Sequence, residues 1–221
     1  FSDIPGLCPL AVHEIRLVDG FEPKRFQAYR LPEALKADVA RQIKELLELG
    51  FIKPSKSEMV SPMVCVLKGR DGSGGVRITI DYRYVNKYTV DESCPIPAID
   101  EVIHRVGNAN FISTCDCKSS FWQIAIRPED TWLTAFITDF GVFEWLRAPF
   151  GLKWSGNSLM GATQQVLLPL REFVDSYVDD MPIFSKGSWN LHLKHLRLFL
   201  QAIEKSKLTL NLKKCHFGLS Q

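Results

Sequence analysis

Ser176-Tyr177-Val178-Asp179-Asp180-Met181 sets two adjacent carboxylates between two mixed apolar runs, Glu172-Phe173-Val174-Asp175-Ser176-Tyr177 and Met181-Pro182-Ile183-Phe184. The flanks read as strands and the acidic pair as the tip of a hairpin. Neighbouring side chains of a strand point to opposite faces, so a turn is needed to aim both carboxylates at one point. Like charges that close repel unless a cation lies between them. Two readings follow: a divalent-metal site for phosphoryl chemistry, or a solvated acidic turn, Asp being a favoured turn residue. Asp116 bears on the choice. It ends the apolar run Phe111-Ile112-Ser113-Thr114-Cys115, and an Asp closing a buried strand costs free energy unless it is paired or metal-bound. The alternative there is an ordinary capping Asp.

Outward from these positions, strand and helix signals interleave. Residues 1 to about 20 have no period and read as an extended lead-in. Pro32 opens a helix with the stripe Leu35, Val39, Ile43, Leu46 and Leu47, and Gly50 closes it. Met63 to Leu67 and Val76 to Ile80 read as strands joined by the basic, Gly-rich hairpin Lys68 to Gly75. Lys68, Arg70 and Arg77 could hold a triphosphate there, or Arg77 could sit on a solvated face. The loop lacks Walker spacing. A short helix is expected over Asp100 to Val106, a bend over Lys118 to Trp122, and a strand over Gln123 to Ile126. A hairpin is expected over Thr134–Thr138 and Val142–Leu146, and a helix from about Ser158 to Leu168. A second long helix carries Leu196, Phe199, Leu200 and Ile203, and Leu208, Leu210 and Leu212 alternate as a strand. Mostly hairpin-linked strands among helices argue an α+β sheet.

Apolar content of 46% and charged content of 24% are ordinary for a globular chain and exclude bulk disorder. A net charge of +2 gives no overall nucleic-acid signature, although a basic groove can hide in an average. The scattered cysteines, Cys115-Asp116-Cys117 included, do not have zinc spacing and read as reduced thiols of an intracellular protein. No signal peptide is recognised and no apolar run reaches the roughly 18 residues of a membrane span. No membrane role is expected.

Taken in order, the blocks resemble the reverse transcriptase of gypsy-class LTR retrotransposons, a relative of retroviral polymerases, from about residue 20 onward. Tyr29-Arg30-Leu31-Pro32 and Leu46 to Ile52 resemble the start of the fingers; Arg77 to Lys87 resembles the fingers signature strand. Asp116-Cys117-Lys118-Ser119-Ser120-Phe121, Pro149-Phe150-Gly151-Leu152-Lys153, Tyr177-Val178-Asp179-Asp180 and Asn211-Leu212-Lys213-Lys214-Cys215 resemble the motifs that follow. The resemblance implies a right-hand polymerase fold of class α+β, with fingers at 20–90 and 124–154, an antiparallel palm sheet backed by helices at 91–123 and 155–221, and no thumb in this chain.

It also implies an RNA-directed DNA polymerase. Asp116 and Asp179, with Asp180 beside them, would hold two magnesium ions (Mg2+, with Mn2+ as a substitute). Lys213 or Lys214 would protonate pyrophosphate. Arg77 with Lys68 or Arg70 would clamp the triphosphate of a deoxynucleoside triphosphate, and Cys117, Lys118, Ser119, Ser120 and Phe150 would lie along it. Phe121 would exclude a 2′-hydroxyl, and Arg83 and Asn86 would touch the template. The implied partners are an RNA or DNA template with its primer, plus thumb, connection and RNase H regions of a parent polyprotein, in the cytoplasm or in virus-like particles. Some positions depart from the family pattern: Trp154, Gly156 in place of a helix-starting proline, Ser120, and Pro182 within the catalytic hairpin. A copy whose catalysis has decayed, kept as a nucleic-acid or protein binding module, is the rival expectation.

Overall fold

The computed structural model describes residues 1–67, 75–92, 99–177 and 179–220. In chain order the elements are β1 (Val12–His13), α1 (Glu33–Glu48), β2 (Ile52–Pro54), β3 (Ser61–Leu67), β4 (Val76–Ile80), α2 (Arg83–Tyr88), α3 (Ile99–Val106) and β5 (Phe111–Asp116). They continue as β6 (Ala125–Ile126), β7 (Phe136–Thr138), β8 (Gly141–Trp145), α4 (Ser155–Leu167), β9 (Asp180–Ser185), α5 (Trp189–Lys205) and β10 (His216–Ser220). The chain divides into two compact units, one built of Phe1–Val12, Glu92–Ile124 and Gly156–Gln221, the other of His13–Asp91 and Ala125–Ser155.

The first unit holds a three-stranded sheet in the order β10-β5-β9. Both pairings are antiparallel, and β5 meets β9 in an unbroken register from Phe111↔Ser185 to Asp116↔Asp180. The sequence dictates this through side-chain alternation. Ser113 and Cys115 on β5 and Met181 and Ile183 on β9 are buried with Phe199 and Ile203 of α5, and a slip of one residue would turn that set to the opposite face. The hairpin expected from the acidic pair is present: Tyr177 and Asp180 exchange both backbone hydrogen bonds, at 2.8 and 3.0 Å. The segment before it is held by isolated bridges instead of a continuous strand, Val174 opposite Ile183 and Tyr177 opposite Asp180.

Pro182 fits this arrangement. Its carbonyl accepts from Asp175 N–H at 3.0 Å, and in a strand the N–H and C=O of one residue face the same edge. The donor that proline lacks therefore belongs to the Asp175 side of the hairpin, and the β5 ladder keeps all of its bonds.

The second unit holds a five-stranded sheet, β2-β8-β7-β3-β4. β3 pairs antiparallel with β4 and parallel with β7. Phe51, Val60, Phe136 and Trp145 are among its buried side chains. Helix α1 starts after Pro32 and buries Val39, Ile43 and Leu46. It ends in a left-handed Gly50 (φ 66°); Phe51 N–H reaches Leu46 C=O (2.9 Å) and Gly50 N–H reaches Leu47 C=O (3.0 Å). That is a Schellman ending, which needs φ > 0 and so a glycine.

Some expected boundaries move. α4 starts at Ser155, not Ser158, which puts Gly156 inside its first turn. Gln123 belongs to a 3₁₀ turn, Ser120–Gln123, and not to a strand. Pro128–Thr134 is also a 3₁₀ turn, so the strand there begins only at Phe136. Leu208 and Leu210 are buried, but Leu212 is exposed within a 3₁₀ turn that carries the chain toward β10. Among the described residues no helix is long and apolar enough to cross a membrane.

Candidate active site

Asp116 is the last residue of β5, and its register partner Asp180 is the first of β9. Directly opposed residues of an antiparallel pair share a face. Asp179 lies in the hairpin between Tyr177 and Asp180, and its carbonyl accepts from Cys117 N–H at 3.4 Å. Burial pushes the Asp179 carboxyl up from its ordinary value. A hydrogen bond from Ser120 opposes that, the charges of Asp116 and Asp180 add to it, and Lys214 opposes it. Lys214 Nζ donates to Asp116 Oδ2 at 3.1 Å. Of the two lysines left open by sequence, Lys214 is the one on a carboxylate.

One oxygen of each of two carboxylates, Asp116 Oδ1 and Asp179 Oδ1, is buried with no hydrogen-bond partner. A buried anionic oxygen without a donor is costly, and coordination to a divalent cation is one way to satisfy such oxygens. Among the described residues no three His, Cys, Asp or Glu side chains gather as a self-sufficient metal cluster. Mg2+ does not require one, because it keeps several waters and is commonly held by one or two carboxylates plus substrate phosphates. The donor set fits a metal that binds together with a phosphorylated substrate.

The bend after Asp116 is strained and strapped. Ser119 is left-handed (φ 44°, ψ 55°), a conformation that costs a non-glycine residue on the order of 1 kcal/mol. Gln123, fully buried, offsets the strain. Its Nε2 donates to Lys118 C=O (2.8 Å) and Thr209 C=O (2.9 Å), and its Oε1 accepts from Thr209 N–H (2.6 Å). Sequence reading missed this residue; its only signal was one amide inside the apolar run Phe121 to Ile126.

Cys117 and Ser120 point inward, at 4% exposure each. Burial, with the Asp179 and Asp116 charges, pushes the Cys117 thiol up to about 12. These two side chains support the carboxylates and do not line an open face. Lys118 is half-buried, with Nζ 3.8 Å from Asp3. Phe121 is half-buried, and its Cε1 lies 3.9 Å from where a Cβ on Gly156 would stand.

The second unit carries the other expected residues. Arg77 is exposed on β4. Arg83 is exposed and forked onto Asp81, with Nε on Oδ1 at 2.8 Å and Nη2 on Oδ2 at 2.6 Å. Asn86, expected at the template, uses both ends of its amide locally. Its Nδ2 donates to Gly151 C=O and its Oδ1 accepts from Lys153 N–H, each at 2.8 Å. It therefore holds the Phe150 loop, and Phe150 is 38% exposed. Trp154 is left-handed (φ 66°), and its indole N–H donates to Val90 C=O at 2.9 Å. Lys68 and Arg70 lie outside the described residues.

The family described as reverse transcriptase (RNA-dependent DNA polymerase) matches residues 66–221. The chain belongs to the reverse transcriptase family. A retrovirus-related Pol polyprotein from transposon opus of Drosophila melanogaster is 36% identical to this chain over 202 residues, which is 89% of the chain and 20% of the polyprotein. The prototype foamy virus protease-reverse transcriptase, as a selenomethionine-labelled CSH mutant, superposes with a TM-score of 0.86 at 26% identity, over 98% of this chain and 28% of that one. A foamy viral protease-reverse transcriptase in complex with an RNA/DNA hybrid also superposes, with a TM-score of 0.86 at 24% identity, over 98% and 28% of the two chains. The chain thus spans about a fifth of that polyprotein and under a third of those solved chains. The α+β right-hand polymerase architecture expected from the motifs is the observed one.

Proposed function

We propose that this chain is the fingers and palm of an RNA-directed DNA polymerase that extends a primer 3′-hydroxyl with deoxynucleotides. Residues His13–Asp91 with Ala125–Ser155 are the fingers; Phe1–Val12, Glu92–Ile124 and Gly156–Gln221 are the palm. The observation that carries this reading is the pair of buried, partnerless oxygens on Asp116 and Asp179 at the end of one ladder. Magnesium held between them would supply the charge that lowers the pKa of a 3′-hydroxyl and offsets a triphosphate. Asp116 and Asp179 would hold the metal, and Asp180 would add to the negative field. In this reading Lys214 would act on the leaving pyrophosphate, Phe121 on the sugar and Arg77 on the triphosphate. An RNA/DNA hybrid, held by a foamy viral relative, is the class of duplex expected here.

Two of the departures from the family pattern, which on sequence favour the rival reading of a decayed copy, are accommodated without damage to the fold. Gly156 sits in the first turn of α4, and Pro182 leaves the β5 ladder intact. The test is primer extension on an RNA template with Mg2+, alongside Mn2+ titration of the same protein. Template-dependent extension and saturable Mn2+ binding are expected, both lost in Asp179→Ala. Extension that survives Asp179→Ala, or Mn2+ binding that does, overturns the reading.

A further inference from the structure

The two strands that present the carboxylates are also joined at their other end, by a fully buried imidazole. His192, on the first turns of α5, shows no exposed surface. Its Nε2 lies 2.8 Å from Ser113 Oγ on β5, and its Nδ1 lies 2.8 Å from Ser185 Oγ on β9. Ser113 pairs with Ile183 in the ladder, so Ser185 is its diagonal neighbour. Diagonal positions stand roughly 7–8 Å apart, a gap that one imidazole with a hydrogen bond at each nitrogen can span. Ser185 Oγ continues to His195 Nδ1 at 2.7 Å, and His195 stacks on Phe173 at 3.8 Å with 7° between the rings. Ser113 Oγ also accepts from Gly218 N–H of β10 at 2.9 Å. The bridge therefore touches all three strands of the sheet.

The donors can be assigned by count. A neutral imidazole has one N–H and one acceptor nitrogen. Ser113 O–H gives to Nε2, Nδ1–H gives to Ser185 Oγ, and Ser185 O–H gives to His195. The reverse direction leaves the buried Ser113 proton without an acceptor among these groups. Burial, and then the charge of His195, lower the pKa of His192, in keeping with a neutral ring. Phe111 and Trp189 flank it, with ring centroids 6.0 and 5.6 Å away.

We propose that His192 is a positioning residue for the carboxylates: by pinning Ser113 to Ser185 it fixes the register of β5 on β9, and with it the spacing of Asp116 and Asp179. Register is the quantity at stake, because a one-residue slip would carry Asp180 away from Asp116 and turn its side chain over. Ser113 lies three ladder positions from Asp116, so His192 acts on the carboxylates through the strands.

The experiment compares His192→Phe, which keeps a ring and removes both bonds, with Phe199→Leu. Phe199 is buried on the same helix without belonging to the bridge. Ser113→Ala and Ser185→Ala cut one side of the bridge each and serve if His192→Phe does not fold. Amide hydrogen exchange over residues 111–116 and 180–185 is read without metal, and Mn2+ half-saturation is read separately. At matched loss of thermal stability, the bridge variants should exchange about tenfold faster in those two strands than Phe199→Leu. Their Mn2+ half-saturation should rise roughly tenfold, the range seen when groups that orient metal ligands are removed, while that of Phe199→Leu stays. Equal exchange in bridge and control variants, or an unmoved Mn2+ half-saturation, overturns the proposal. The Mn2+ arm rests on the polymerase reading. If the unaltered protein has no Mn2+ site sensitive to Asp179→Asn, that reading falls, and the exchange arm still decides the bridge.

Discussion

Asp179 is held against its own electrostatics. It is partly desolvated and feels the charges of Asp116 and Asp180, against which Ser120 and Lys214 stabilise its charge. Replacing it with an isosteric neutral amide should therefore raise the melting temperature of the metal-free protein near neutral pH while removing the saturable Mn2+ site. Calorimetry with and without Mn2+ checks both; a lower melting temperature would contradict the repulsion inferred here. Function accounts for such a residue, since a binding site can hold strain that stability alone would discard. Phe121, five positions after Asp116, makes a second prediction at this scale. Phe121→Val should raise the ratio of ribonucleotide to deoxynucleotide incorporation in primer extension, and an unchanged ratio would remove it from the sugar pocket.

At the scale of elements, α4 and the β2–β8 pair offer two further measurements. Gly156 lies in the first turn of α4 without a positive φ, and a Cβ there would meet nothing closer than Phe121 at 3.9 Å. Gly156→Ala should raise stability by about 0.5–1 kcal/mol, chiefly by restricting the unfolded chain; urea melts would show it. On β8, Glu144 is buried and accepts from Ser55 Oγ (2.5 Å), Thr131 Oγ1 (2.9 Å) and Lys53 Nζ (3.0 Å). Burial alone would raise its pKa, and these partners outweigh burial and lower it. Its contribution is therefore full above the unfolded value near 4.5 and is lost as pH falls through the lower folded value. Glu144→Ala should cost about 1–3 kcal/mol at pH 7, and the gap from the unaltered protein should narrow in melts below pH 4.5.

These elements also mark where sequence alone was sufficient. Asp116 and Asp179 could be found because a carboxylate at the end of an apolar run contradicts its setting. Gln123 and His192 could not, because one polar residue in an amphipathic stretch reads as the solvent side. Their importance comes from partners more than 70 positions away, Thr209 for Gln123 and Ser113 for His192. Leu208, Leu210 and Leu212 alternate as a strand would, yet only Leu210 makes an isolated bridge, to Cys117, and the chain turns at Leu212 to bring Lys214 to Asp116.

For the whole molecule, charge sets the expectation. Phosphate contacts supply most nucleic-acid affinity, and a net charge of +2 gives the chain little excess positive charge to attract a polyanion. The 221 residues alone should bind a primer–template duplex weakly, with affinity falling steeply as salt rises, and should extend it poorly. A salt titration by fluorescence anisotropy measures this; tight binding at 150 mM salt, or so, with processive extension would contradict it.

The division of the chain into two units has a consequence for its synthesis. The polypeptide passes from one unit to the other at 12/13, 91/92, 124/125 and 155/156. A ribosome that has delivered this region only through residue 124 has completed neither unit, because the second still lacks β7 and β8 and the first still lacks β9 and β10. Strand β5 must wait for partners that emerge more than 60 residues later, with its apolar face and Asp116 unpaired in the meantime. Folding of this kind, dominated by distant strand pairings, is slow and prone to aggregation. Nascent chains arrested before residue 155 should be protease-sensitive throughout, and protection should arrive late, first over His13–Ser155 and then over the strands that carry the carboxylates.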